Sequence, residues 1–196
     1  MMLARRSLLL LPLVAAGCGG EDALPAARGG FPPLSYSYLT PLRLNVATID
    51  EAPLPPPGST DDLNPAPPGQ ALIRMAQDRL AAGGTLGRAV FTVDEASITR
   101  RGGGLDGVMA VHLDVLTSEG SRAGFAEARV SRRATGIGDL RSALYDMTVQ
   151  MMQDMNIEFE FQVRQSLRDW LQEATTAPPP PAVEQQPLDA VRRPAP

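Results

Sequence analysis

The chain has 196 residues but no lysine, one histidine, one cysteine and only 5% aromatic residues. All 18 basic residues are therefore arginine, which excludes Schiff-base and lysine-nucleophile chemistry. A single Cys and a single His exclude a zinc-finger cluster, an intrachain disulfide and any redundant cysteine–histidine dyad. Proline is missing from the whole stretch between Gly69 and Ala177, although the chain carries 19 of them. They lie at or before Pro68, or at or after Pro178. That split predicts one folded unit between two arms of little regular structure, and the length suits a single domain with tails.

What is present begins with an address. Arg5 and Arg6 precede an apolar run from Leu8 to Val14, and the small residues Ala15, Ala16 and Gly17 follow. This is the n-region, h-region and cleavage zone of a secretory signal over residues 1–17; the run is shorter than the ~20 residues needed to span a bilayer. The sole cysteine, Cys18, comes directly after it. The stretch Val14-Ala15-Ala16-Gly17-Cys18 resembles the lipobox of bacterial lipoproteins, with Ala15 where Leu is usual. The resemblance implies that Cys18 is diacylated, the signal removed and the new amino terminus acylated by a fatty acid such as palmitate. Gly19, in place of Asp, resembles the default outer-membrane sorting signal. Arg5-Arg6 leaves both a general secretory and a twin-arginine export route open. The mature chain keeps 16 Arg against 22 acidic residues, a balance that argues against nucleic acid as a partner.

Residues 18–40 read as the lipidated Cys and a flexible tether, and 41–174 as one α/β domain. Leu42, Leu44 and Val46 alternate with polar residues after Pro41, which predicts the first strand. Tyr36 and Tyr38 either extend that strand or form an extended segment lying on the domain. Asp50 to Pro68 is a proline-rich connection, expected to be a disordered loop at 50–68. Leu72, Ile73, Ala76 and Leu80 fall at helical spacing opposite Arg74, Asp78 and Arg79, with Gly83-Gly84 as the stop. Three strands are expected next: Ala89–Val93, continuing as far as Ile98; Met109–Val115; and Ala123–Val130. Pairing Val115 with Gly124 sets Leu113, Val111 and Met109 against Ala126, Ala128 and Val130 on one face, leaving room there for helices. Asp139 to Ala174 has neither Gly nor Pro and repeats its apolar residues every three or four positions. It predicts one helix of about 50 Å at 1.5 Å per residue, overhanging strands of about 20 Å, although Met155–Val163 also alternates as a strand would. Residues 175–196 read as a proline-rich disordered tail.

Four groups of side chains are candidates for function. His112, with Glu127 opposite it and Asp114 and Arg129 nearby, offers acid–base chemistry but has no nucleophile beside it; an ion-paired solvent face is the simpler reading. Met147, Met151, Met152 and Met155 suit soft metal binding, yet they continue an apolar helix stripe and read as core. Arg100, Arg101, Arg132 and Arg133 end two strands and are expected to gather at one sheet edge as a possible anion or partner contact. Ile157 and Phe161 form a second apolar patch on the long helix, a possible partner-helix contact. No catalytic residue, cofactor or metal site is expected.

The order β-α-β-β-β-α gives an α+β fold: a two-layer α/β sandwich with a mostly antiparallel four-stranded sheet and a long C-terminal helix. A lipobox, a tether and one such domain resemble small envelope lipoproteins of Gram-negative bacteria, among them the ABC-type transport auxiliary and LPS-assembly lipoproteins. The stretches Gly124–Arg129 and Met155–Glu160 resemble those of an uncharacterised lipoprotein family. The resemblance implies a non-enzymatic, lipid-anchored accessory or structural component of an envelope assembly or transport complex. Its membrane contact would be the acyl chains on Cys18, its further partner an envelope protein, and its place the outer membrane facing the periplasm. The alternatives are a binding module for lipid or another apolar ligand held between the sheet and the Met-rich helix and, more distantly, a hydrolase using His112 and Glu127.

Overall fold

A computed structural model describes residues 30–172; the signal, Cys18 and the proline-rich tail lie outside the described residues. Three long strands carry the fold: β4 (Arg88–Arg101), β5 (Gly104–Leu116) and β6 (Arg122–Ala134), joined as antiparallel hairpins. The first turn centres on Gly102 and Gly103, both at positive φ, as a two-residue turn matched to the strand twist requires. The register of β5 on β6 pairs Val115 with Gly124, Leu113 with Ala126, Val111 with Ala128 and Met109 with Val130, as the alternation predicts. A bulge between Val93 and Glu95 interrupts β4. It explains why the apolar residues run Ala89, Phe91, Val93 and then Ala96, Ile98: the extra residue restores the same face after the count slips by one.

The fourth strand of this sheet is not the one expected. Leu42–Leu44 (β1) pairs in parallel with Leu80–Ala82 (β3) as a separate two-stranded sheet. Thr48–Glu51 (β2) supplies the parallel edge of the main sheet, giving the order β2-β4-β5-β6. Thr48–Glu51 has one apolar residue, Ile49, and its place is set by backbone pairing along β4 rather than by its own pattern. Packing also starts earlier than Pro41. Phe31 stacks on Tyr145 at 5.0 Å, Tyr36 is buried in the core, and the chain turns there, with Leu39 N–H donating to the Tyr36 carbonyl. Burial pushes the Tyr36 hydroxyl well above the ordinary tyrosine range, with Tyr38 and Asp78 adding to it.

The proline-rich loop is built into the domain, against the expectation of disorder. Its buried Thr60, just before a 3-10 turn at Asp61–Leu63, donates to the Ile98 carbonyl at 2.6 Å. Asn64 donates to the Thr148 hydroxyl at 3.0 Å, and Thr148 donates in turn to the Leu144 carbonyl. These bonds tie the loop to β4 and to the long helix, because buried polar groups need partners.

Two helices cover one face of the sheet, so the two-layer α+β sandwich is the observed fold. The first, α1 (Pro68–Arg79), stops at Arg79 rather than at the later glycines, because Leu80 leaves in extended geometry to begin β3. The second, α2 (Leu140–Ser166), starts on Asp139, whose carboxylate accepts from Ser142 N–H at 2.8 Å. Residues 155–163 are helical: Met155, Phe159 and Val163 are buried one turn apart, with Ile157 and Phe161 on the opposite side. A 3-10 turn over Arg168–Trp170 ends the run, and Leu171 bridges to Leu44. At 27 residues α2 is about 40 Å long, and the 13 residues of β5 span about 43 Å. Helix and sheet therefore match in length, and the predicted overhang does not exist. Gly124, Ala126 and Ala128 form the seat for α2; a Cβ on Gly124 would stand 2.6 Å from Leu167 Cδ2.

Arg79 joins the two helices and departs furthest from its predicted place. Expected on a solvent face, it is 1% exposed. Its Nε donates to the Thr40 carbonyl at 3.2 Å, Nη1 to Asn156 Oδ1 at 3.0 Å and Nη2 to Glu160 Oε2 at 2.6 Å. Removing one member of such a buried set strands the others. Arg79→Ala is expected to cost about 3–5 kcal/mol, read as a lower urea midpoint with little change in slope. At Glu160 burial works to raise the carboxyl, but hydrogen bonds from Arg164 and Arg79 and their charges outweigh it and the net direction is down. A depressed folded-state value stabilises above the unfolded one, near 4.5, and that contribution is lost as the pH falls through the folded value. Stability should therefore decline on acidification below the ordinary glutamate range, and Glu160→Gln should flatten that part of the curve; an unchanged slope would remove Glu160 as its source.

Candidate functional site

The sheet face away from the helices carries a ladder of paired charges. His112 on β5 faces Glu127 on β6 in the register, as predicted, but its partner is Asp94. The imidazole Nδ1 lies 2.8 Å from both Asp94 carboxylate oxygens, and Nε2 is 3.5 Å from Asp114. The bulge in β4 is the cause, since it turns both Asp94 and Glu95 to this face. Glu95 takes Arg129 at 2.8 Å, while Arg122 reaches Asp114 at 2.7 Å and lies 5.0 Å over the Phe125 ring. With carboxylates at both ring nitrogens, His112 is a member of this ladder and sits on a solvated antiparallel face. The geometry gives no support to a His112–Glu127 hydrolytic pair.

The four predicted arginines are brought together only in part. Successive strand residues point to opposite faces, so Arg132 and Arg133 diverge. Arg133 grips Asp106 through Nε at 2.5 Å, and Arg101 approaches the same carboxylate at 3.6 Å. Arg132 turns to α2, donating to Asp154 at 2.7 Å and to Gln150 at 3.1 Å. Arg101, Arg132 and Arg133 do line one shallow cleft of 620 Å³, with Asp106 and Glu95 in its wall; Arg100 is not part of it. The hydrogen bond from Arg133, then its charge and that of Arg101, hold Asp106 below the ordinary aspartate range against its desolvation. Two guanidinium groups share the one Asp106 carboxylate, so the charge of this edge is masked in part.

The methionines stand where an apolar stripe places them. Met147, Met151, Met152 and Met155 are all buried, and a Cβ on Gly107 would meet Met151 Sδ at 2.5 Å. Side chains of the protein itself fill the space between sheet and helix. Ile157 and Phe161 are 72% and 57% exposed, one turn apart on the outer face of α2, so the predicted second patch is present and is not covered by the domain.

A cationic groove escaped the sequence reading. Arg43 on β1, Arg164 near the end of α2 and Arg168 in the following turn line a space of 940 Å³ over Pro41, Leu42 and Leu171. The backbone builds it: Gln172 N–H donates to the Arg43 carbonyl and Asn45 N–H to the Trp170 carbonyl, clamping the chain end along β1. In the sequence Arg43 is one of the polar residues that alternate with Leu42, Leu44 and Val46. No local pattern links it to residues more than 120 positions away.

No family model matches the chain, and no curated protein matches it. Similar solved structures include a protein of the DUF330 family from Xanthomonas campestris, at 12% identity and a TM-score of 0.44 over 70% of this chain and 95% of the other. A putative lipoprotein from Caulobacter crescentus gives 15% and 0.31, over 62% and 83% of the two chains. A minor lipoprotein from Acinetobacter baumannii gives 13% and 0.30, over 61% and 95%. The expected resemblance to LPS-assembly lipoproteins has no counterpart among these three structures. Among the described residues, no helix is long and apolar enough to cross a membrane.

Charge neutralisation at the sheet edge is testable. Asp106→Asn should release Arg101 and Arg133 and raise the salt concentration at which the folded protein elutes from phosphocellulose. Unchanged elution would mean that Asp106 does not mask them.

Proposed function

We propose that the protein is a lipid-anchored accessory component of the bacterial cell envelope, acylated at Cys18, that acts by docking an envelope protein rather than by catalysis. The observation that carries this reading is the Ile157–Phe161 pair. It stands exposed on a helix whose opposite face is closed into the core by Met151, Met155 and Phe159. Fully burying two such side chains is worth about 1.5–3 kcal/mol each, and apolar residues at one-turn spacing are the anchors by which helices recognise partners. The anchor itself is read from the Val14–Cys18 stretch, and an outer-membrane address facing the periplasm from Gly19.

An apolar-ligand module held between sheet and helix is less favoured, because the Met147, Met151 and Phe159 side chains occupy that space and a ligand would have to displace them. A photo-crosslinking residue placed at position 157 or 161 in cells is expected to trap one envelope protein reproducibly. The same residue at position 74, on the exposed side of α1, should not trap it, and Ile157→Asp with the probe at 161 should abolish the adduct. Equal labelling from 74 and from 157 would overturn the docking assignment.

A further inference from the structure

A second feature, independent of the helix patch, is the groove at the end of α2, lined by three arginines from two distant parts of the chain together with Pro41, Leu42 and Leu171. The protein as a whole is acidic, with a formal net charge of −4. Elsewhere its arginines are largely matched: Arg88 with Asp50, Arg122 with Asp114, Arg129 with Glu95, Arg132 with Asp154 and Arg133 with Asp106. In the groove the balance differs. Among the described residues no carboxylate lines it, and no ion pair involves Arg43 or Arg168. Arg164 commits Nε to Glu160 at 2.8 Å, and among the described residues its two terminal nitrogens have no hydrogen-bond partner.

The electrostatics of the helix end account for only part of this. Cations gather at helix C-termini because the unpaired carbonyls carry about half a negative charge, and Arg164, in the last turn of α2, fits that role. Arg43 does not, since it belongs to β1 and is brought here by the strand-like clamp of Leu171 and Gln172. With Arg164 already paired to Glu160, the charges of Arg43 and Arg168 still exceed what half a charge calls for. A planar guanidinium presents paired donors that match the oxygens of a phosphate, and Pro41, Leu42 and Leu171 add apolar surface beside them.

We propose that Arg43, Arg164 and Arg168 form a binding site for a phosphate group, carried either by an anionic lipid headgroup or by a soluble compound. The test uses the full chain carrying Cys18→Ser, so that no acyl chain contributes. It compares this chain with one that also carries Arg43→Gln and Arg168→Gln. Thermal unfolding is measured in inorganic phosphate against chloride at equal ionic strength, and flotation on phosphatidylglycerol vesicles against phosphatidylcholine vesicles.

The double substitution should leave the midpoint in chloride unchanged, abolish the rise in phosphate and lower partitioning onto phosphatidylglycerol by roughly thirtyfold. A response to phosphate alone assigns a soluble phosphorylated ligand; preferential flotation lost in the double variant assigns a headgroup. Indistinguishable behaviour of the two chains in both measurements overturns the site. Should the double variant unfold, Thr40→Glu, which sets a carboxylate in the groove wall, must weaken the same responses.

Discussion

A guanidinium with almost no access to water has to be met by oxygen on every side, and in this protein the demand falls on Arg79. Its three contacts come from two other parts of the chain: the carbonyl of Thr40 before β1, and on α2 the amide of Asn156 and the carboxylate of Glu160. Asn156 is itself tied to the Met152 carbonyl, so the guanidinium fixes the rotation of α2 as well as its distance from α1. The end of α1, the start of β1 and the middle of α2 are thus held by one set of charge-assisted hydrogen bonds. Everything beyond Glu160 inherits that placement, including the last turn of α2 and the return of Leu171 to β1.

The sheet meets a constraint of a different kind. A helix as long as the strands can lie along them only if the surface beneath it is shallow, and Gly124, Ala126 and Ala128 on β6 provide this. The large side chains come from the other partners, Met109, Val111 and Leu113 on β5 and the methionines of α2. Methionine suits such a seam because its unbranched thioether adapts to an irregular floor. The bulge in β4 keeps Ala96 and Ile98 facing the same core while giving two acidic residues to the outer face, which is why that face is rich in ion pairs.

Function follows from which polar groups are already answered. On the outer face arginine and carboxylate are interleaved in pairs, and at the β6 edge Arg101 and Arg133 share Asp106; exposed pairs of this kind contribute little to stability. Among the groups that the described residues leave unanswered are the Ile157–Phe161 pair and the arginines of the β1–α2 groove. The first is apolar and suits a protein surface, the second cationic and suits phosphate. The two readings rest on different side chains and can fail separately.

Much was legible in the residues themselves. The hairpins, the β5–β6 register, the apolar stripe of α2 and the exposure of Ile157 and Phe161 all follow from periods of two and of 3.6 with glycine at the turns, and these are local signals. The export signal expected over residues 1–17 and the acylation expected at Cys18 also rest on local residues, which lie outside the described ones. Tertiary structure decided the rest, because it depends on partners far away in the chain. Thr48–Glu51 is a strand only because β4 offers it an edge. The proline-rich loop is ordered only because Ile98 and Thr148 receive Thr60 and Asn64. Arg79 is buried only because Glu160, 81 residues on, meets it, and Arg43 becomes part of a site only when Gln172 pairs beside it. Local periodicity determines which face a residue takes on its own element; what that face meets is settled by backbone and charge pairing across the whole domain.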